Sequence, residues 1–367
     1  MNEYKYYMPV KLFFGKNSME NLSDFITYFK KAMIVTGKNS ARLSGALDDV
    51  IEILKKNNKD YFIFDQVEEN PSLQTVDKGV EFFKENSCDF VIGIGGGSPI
   101  DAAKVIALCS SNNIKAEKLY DKNYKPNNIA NVIFAIPTTS GTGTEVTQYA
   151  VLTNREKKNK AGLSNDTIFP FASFLNPEYT YTMPETVIID TGIDAFTHAY
   201  EGLISTKSNP YSDFIAIESI RLIYENLKKA SQKDKVAMEK MQYAAMLAGV
   251  VIAQTGTILL HALGYPLTVD YGISHGRANA LMLVEFDKYI RNKLSEERIK
   301  VLNKVYELKT VEEFLNELNV KTGLGNYGVE KQRIKEMSEN VMNKRNLLIT
   351  PGKTELNDVI KLYENSF

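Results

Sequence analysis

The chain has little cysteine, little histidine and no excess of charge. Cys88 and Cys109 are its only cysteines. Neither stands at metal-ligand or redox spacing, and both sit among apolar or helical neighbours, which points to buried thiols in a reducing compartment. Lysine plus arginine number 44 against 45 aspartate plus glutamate, a formal net charge of −1 with both signs interspersed. A phosphate backbone or an anionic membrane surface therefore finds no electrostatic footprint, which argues against nucleic-acid and membrane partners. The opening MNEYKYYMPV is polar and aromatic and lacks the apolar core of a signal peptide; it reads as the first strand of the fold, and a cytoplasmic location is expected. One uninterrupted apolar run, Ala244 to Ala253, ends at Gln254, well short of the ~20 residues a bilayer requires, and reads as a helix buried on all sides.

With 367 residues, 44% hydrophobic and 24% charged, the composition is that of a soluble globular protein too long for one core. An α/β domain is expected over 1–184 and an all-helical domain over 185–367. In the first, strands are predicted at Ala32–Thr36, Tyr61–Phe64, Phe90–Ile94 and Val132–Ile136, with helices at Ala41–Lys55 and Leu73–Glu85. The near-continuous apolar strands suit a parallel sheet covered on both faces. Beyond Pro184 helical periodicity dominates, through Asp213–Lys229, Lys235–Ile258, Val311–Leu318 and Glu355–Tyr363. The turn-rich segment Asn176–Pro184 marks the boundary, and a cleft between two such domains is a usual place for a small-molecule site.

Two loops carry phosphate-binding chemistry. The strand ending at Ile94 runs into Gly95-Gly96-Gly97-Ser98-Pro99-Ile100-Asp101 and then a helical pattern. Glycines let backbone approach a ligand, and the sequence predicts Ser98 as N-cap and Pro99 as first helical residue, so free N–H groups face an anion such as a pyrophosphate. Ser98 takes the place of the third glycine of the usual dinucleotide fingerprint. After the next strand, Pro137 to Thr147 packs six hydroxyls and two glycines into eleven residues, a second set of donors able to converge on one anion. Upstream, Gly37, Lys38 and Ser40 close the first strand of this region without an acidic residue, leaving room and donors for a 2′-phosphate. NADP is therefore expected over NAD, with NAD possible.

The three histidines, His198, His261 and His275, all lie in the second half. Asp194 and His198 are four apart in a helical stretch, so carboxylate and imidazole share one face. With histidine so scarce, this clustering favours one metal site over three separate core histidines. One carboxylate and three neutral imidazoles around a divalent ion leave a charge near +1, which eases proton loss from an alcohol. The absence of thiolate suits Fe²⁺, Zn²⁺, Co²⁺ or Ni²⁺.

At these residues the chain resembles the iron-containing, or group III metal-dependent, alcohol dehydrogenases. The likeness runs from Phe13-Phe14-Gly15 through Glu69-Asn70-Pro71, the Gly95 to Asp101 and Pro137 to Thr147 loops, Gly192 to Gly202, and His261 to His275. It is nearest to members described as 1,3-propanediol or butanol dehydrogenases. The resemblance implies a Rossmann-like dinucleotide-binding domain joined to a helical metal-binding domain in a dehydroquinate synthase-like fold. It implies Asp194, His198, His261 and His275 as metal ligands, with iron the expected ion. It further implies that Gly37, Asn70, Gly96, Gly97, Ser98, Asp101, Thr138, Thr139, Thr142, Thr147, Val151, Lys160 and Thr182 line the dinucleotide. Many relatives carry a second histidine where this chain has Tyr265, a residue proposed to relay a proton; a phenol with an ordinary pKa near 10 is a poorer base. Tyr265 and His275 are accordingly the candidate catalytic residues, with Tyr265 equally readable as packing beside Pro266.

The implied activity is hydride transfer between a small primary alcohol or diol, or the corresponding aldehyde, and NAD(P). The alternatives are a dehydroquinate synthase-like lyase or glycerol dehydrogenase-like enzyme of the same fold, or a non-catalytic nucleotide- or metal-binding protein. The lyase would call for a cationic cluster around the histidines, which the second half lacks. A homodimer is expected, with the Tyr4 to Phe14 aromatic strand available for pairing with a partner chain.

Overall fold

The computed structural model describes residues 3–121, 123–154 and 159–367. The chain forms two compact units, Met8–Met183 and Pro184–Phe367, and the segment ending at Tyr7 belongs with the second. The sequence predicts an α/β domain from residue 1 on. The N-terminal segment departs from it because the Tyr7 N–H donates to Gln254 Oε1 at 3.0 Å and Gln254 Nε2 donates to the Tyr7 carbonyl at 2.8 Å. Tyr6 also lies with its ring centroid 4.5 Å from that of Tyr211.

The α/β unit runs β1 (Lys11–Phe14), α1 (Leu22–Phe25), β2 (Lys31–Gly37), α2 (Ser40–Leu43), α3 (Ala46–Lys56), β3 (Asp60–Val67), α4 (Leu73–Glu85), β4 (Phe90–Gly95), α5 (Gly97–Asn112), β5 (Val132–Pro137), β6 (Tyr149–Asn154), β7 (Asn159–Ser164) and β8 (Ala172–Leu175). Six of these strands make a parallel sheet in the order β1-β8-β5-β4-β2-β3, and β6 pairs antiparallel with β7. Alternate residues serve opposite faces, as the two-residue period of a strand demands. Met33, Val35, Val91 and Ile133 pack in the core shared with α4 and α5, while Ile34, Phe90, Ile92, Phe134 and Ile136 pack in the core shared with α1 and α3.

Three expectations are corrected here. The first strand is only Lys11–Phe14, and it pairs within the sheet, with β8, rather than lying free from Tyr4 onward. The helix predicted over Ala41–Lys55 is two, because Gly45 at φ +82° breaks the turn between them; a left-handed residue cannot continue a right-handed helix. Helix α5 starts at Gly97 with Gly96 as its cap residue, so Ser98 and Pro99 already lie in the first turn.

The second unit is helical among the described residues: α6 (Glu185–Ile204), α7 (Pro210–Ser231), α8 (Lys235–Thr255), α9 (Leu259–Tyr271), α10 (His275–Arg291), α11 (Glu296–Tyr306), α12 (Val311–Glu317), α13 (Ile334–Met342) and α14 (Leu356–Asn365). Helix α8 is long and apolar enough to cross a membrane by length and composition, but 72% of its apolar window is buried inside the protein. Its Ala244–Ala253 stretch is buried but for the half-buried Leu247, as its composition predicts, while Lys235, Val236, Glu239, Lys240 and Tyr243 at its start are exposed. Cys88 and Cys109 are free, buried thiols, and burial pushes them up to about 11 and about 12.

Candidate metal centre and nucleotide loops

Parallel strands end on one side of their sheet, so the loops after β2, β3, β4 and β5 gather around the N-terminus of α5. The Thr138 N–H donates to the Gly95 carbonyl at 2.9 Å, joining the loops of β4 and β5 at their roots. Gly97 is required by that closeness: a Cβ there would stand 2.8 Å from Thr142 Cγ2, and one on Gly96 would stand 3.3 Å from Thr139 Cγ2. From the β3 side, Asn70 adopts φ +54° and its N–H donates to Ser98 Oγ at 3.1 Å. Gly37 closes the ring, with a Cβ at that position reaching 3.7 Å from Pro99 Cγ.

No side chain caps α5, so its first N–H groups and the positive end of its dipole are turned to the ring. Among the described residues, the Thr138 and Ser140 hydroxyls are buried and have no hydrogen-bond partner. Buried polar atoms are ordinarily paired, and an anion at this helix end would pair them. The residues present therefore fit a pyrophosphate.

Asp101, Thr147, Val151 and Lys160 stand on the flank of α5. Asp101 accepts from Thr144 Oγ1 at 2.5 Å and from the Val151 N–H at 2.8 Å. Burial pushes its carboxyl up, against the pull of Lys104, these two hydrogen bonds and Lys160. Lys38 and Ser40 are exposed after β2, and Thr182 is exposed beyond the Pro177–Thr180 turn.

In the helical unit three helices bring the polar residues of the site together. Helix α6 presents Asp190, Asp194, His198 and Glu201 at spacings that keep them on neighbouring turns of one side. Helix α9 brings His261 in its first turn, and α10 begins with His275. Asp194 Oδ1 lies 3.7 Å from His261 Nε2 and 3.9 Å from His275 Nε2. Donor atoms of these three residues all fall within 4.8 Å of one another, a group able to hold a metal ion. His198 stands beside them, its ring 4.7 Å from that of His261 and only 20° from parallel. Asp194, His198 and His261 are buried, whereas the His275 side chain is 24% exposed, so access to the group is on the side of His275.

The supporting residues escaped the sequence reading. Glu201, fully buried, accepts from the backbone N–H groups of Ile258 at 3.1 Å and His261 at 3.2 Å, and its other oxygen meets His261 Nδ1. A carboxylate on Nδ1 fixes the tautomer and turns Nε2 toward the metal. Asn279 Nδ2 donates to Asp194 Oδ1 at 3.3 Å. Asp190 binds Arg277 at 2.7 Å and accepts from Ser274 Oγ, tying the start of α10 to α6. The signal for Glu201 was its place three residues after His198, one helical turn further along the same face. Tyr265 stacks on His275, ring centroids 5.6 Å apart and 13° from parallel. Burial, with the charges of Glu201 and Asp194, pushes its phenol well above the ordinary value, against hydrogen bonding to Asn346 and Thr257.

Comparison with known proteins agrees with this geometry. A family model described as iron-containing alcohol dehydrogenase matches residues 9–177, and one for the C-terminal part of the same family matches residues 188–367. The chain is 33% identical to an NADPH-dependent butanol dehydrogenase of Clostridium saccharobutylicum, over 90% of this chain and 88% of that protein. It is likewise 33% identical to a 1,3-propanediol dehydrogenase of Citrobacter freundii, over 78% and 75%. Among solved structures, an iron-containing alcohol dehydrogenase of Thermotoga maritima superposes with a TM-score of 0.92 at 39% identity, covering 99% of both chains. The metal-ligand types, the glycine loop and the two-part fold thus converge, and the chain belongs to the iron-containing alcohol dehydrogenase family.

Proposed function

We propose that this metal-dependent alcohol dehydrogenase interconverts small primary alcohols or diols with their aldehydes, using Fe²⁺ held by Asp194, His198, His261 and His275, and NADP in preference to NAD. The observation that carries the reading is the convergence of Asp194, His261 and His275 within 4.8 Å. Carboxylate and imidazole without thiolate form a donor set suited to Fe²⁺, with Zn²⁺, Co²⁺ and Ni²⁺ as other occupants. When bound, the ion supplies Lewis acidity toward the substrate oxygen. The chain's own residues do the positioning: Glu201 aims His261, Asn279 orients Asp194, and Asp190 anchors the helix that begins with His275. Tyr265, stacked on His275 and holding its proton, is a hydrogen-bond donor at neutral pH rather than a base.

Support for NADP comes from the residues that follow β2, Gly37, Lys38, Asn39 and Ser40, which include a cation and a hydroxyl and no carboxylate. A reducing cytoplasm suits the two buried free thiols, and a homodimer is the expected assembly. The test is elemental analysis of protein purified without oxygen, coupled to a panel of alcohols and aldehydes with NADPH and NADH. One equivalent of iron and faster turnover with NADPH are expected. Full turnover after exhaustive chelation would overturn the metal assignment, and equal efficiency with NADH would overturn the cofactor preference.

A further inference from the structure

Lys104 is a lysine with no exposed surface, in the middle of the apolar helix α5. Its ammonium donates to the carbonyls of Thr144 at 2.6 Å, Thr147 at 2.8 Å and Tyr149 at 2.8 Å, and it lies 2.8 Å from Thr144 Oγ1. One turn earlier on the same helix, Asp101 takes the Thr144 hydroxyl and the Val151 N–H. The segment from Thr144 to Val151 is thus bound to α5 through a lysine–aspartate pair, and that segment continues directly from the Thr138–Thr142 loop. A buried ammonium is costly unless it is hydrogen-bonded and paired. Here three carbonyls and the Thr144 hydroxyl hydrogen-bond it, and the carbonyls in turn depend on it.

We propose that Lys104 is a positioning residue for the nicotinamide cofactor. It fixes the distance between the N-terminus of α5 and the hydroxyl-rich loop, so that both present donors to one pyrophosphate. The inference rests on the reading of these loops as the dinucleotide site. Lys104 touches no reacting atom; its effect reaches the cofactor through Thr144 and the backbone at Thr147 and Tyr149. Methionine has nearly its length and cannot bind a carbonyl, so the loop of Lys104→Met is free to shift, and small displacements of positioning elements carry large rate costs.

The experiment is NADPH binding by fluorescence, with steady-state kinetics, on the iron-loaded wild type, Lys104→Met and Thr144→Val. Lys104→Met is expected to bind NADPH more weakly by about tenfold or more, and Thr144→Val by roughly threefold. In both, iron content and the KM for aldehyde stay at wild-type values, a split that general loosening of the fold would not give. Should Lys104→Met not fold, Thr144→Val decides. Either variant, folded and binding NADPH as the wild type does, overturns the inference alone. A wild type that binds neither NADPH nor NADH overturns the reading of the loops and the inference with it.

Discussion

Glu201 holds His261 at two points, accepting its backbone N–H at 3.2 Å and meeting its ring at Nδ1. The same carboxylate caps the first turn of α9, whose cap residue Ile258 has no side chain for the task. One buried acid thus sets both where the histidine sits and which nitrogen it offers.

Glu201→Gln tests that double duty. The amide keeps a polar atom near the ring but loses the charge that favours the Nδ1–H tautomer. Iron affinity is expected to fall about 10- to 100-fold, measured by competition with a chromophoric chelator, and turnover to fall with occupancy. Unchanged affinity would remove Glu201 from the support of the metal.

Gly97→Val addresses the junction of the two loops. Its Cβ would enter the space of Thr142 at 2.8 Å, and the branched methyls extend further. The KM for NADPH is expected to rise about tenfold or more while iron content holds, read by steady-state kinetics and elemental analysis. An unaltered KM would show that the loops can part without cost to the cofactor.

Tyr265→Phe removes the phenol and keeps the ring on His275. Losing this hydrogen-bond donor is expected to lower kcat by about tenfold or more, and Tyr265→His, whose imidazole also donates, is expected to recover part of it. Equal kcat in wild type and Tyr265→Phe would leave the residue a packing role beside Pro266.

Glu145 gives a pH signature to the α/β unit. It is buried, and burial pushes its carboxyl up to about 7, with a backbone hydrogen bond and Lys104 opposing. A carboxyl that binds its proton more tightly folded than unfolded costs stability as pH rises from the ordinary carboxylate range to about 7. Wild type should therefore lose stability relative to Glu145→Gln over that window, by a difference on the order of 1–3 kcal/mol, measured by denaturant titration at several pH values. Parallel stability curves would contradict it.

The sequence was most informative where structure is local. The helix over Leu73–Glu85 appears with the predicted bounds, because Ser72 caps it through the Thr75 N–H and its apolar face repeats at helical spacing. The apolar runs of β4 and β5 announce strands covered on both sides. What stayed hidden depends on partners distant in the chain. Lys104 looks like an ordinary charged residue until Tyr149 folds over it, and Glu201 until α9 arrives beside it. Ser98 has the chemistry of a cap, yet its oxygen is engaged by the Asn70 backbone, and α5 begins at Gly97, earlier than that chemistry predicts. Aromatic content predicts a strand over Tyr4–Phe14, but only its last four residues find a neighbouring edge.

Helix α6 carries Asp194 and His198, while His261 and His275 ride on two other helices of the same unit. An ion gripped by all of them would act as a rivet, absent from the unfolded chain and formed only once those helices have docked. Its contribution would then fall on one of the two halves alone. Stripping it should therefore lower the melting point of the helical half, read by calorimetry with and without a chelator.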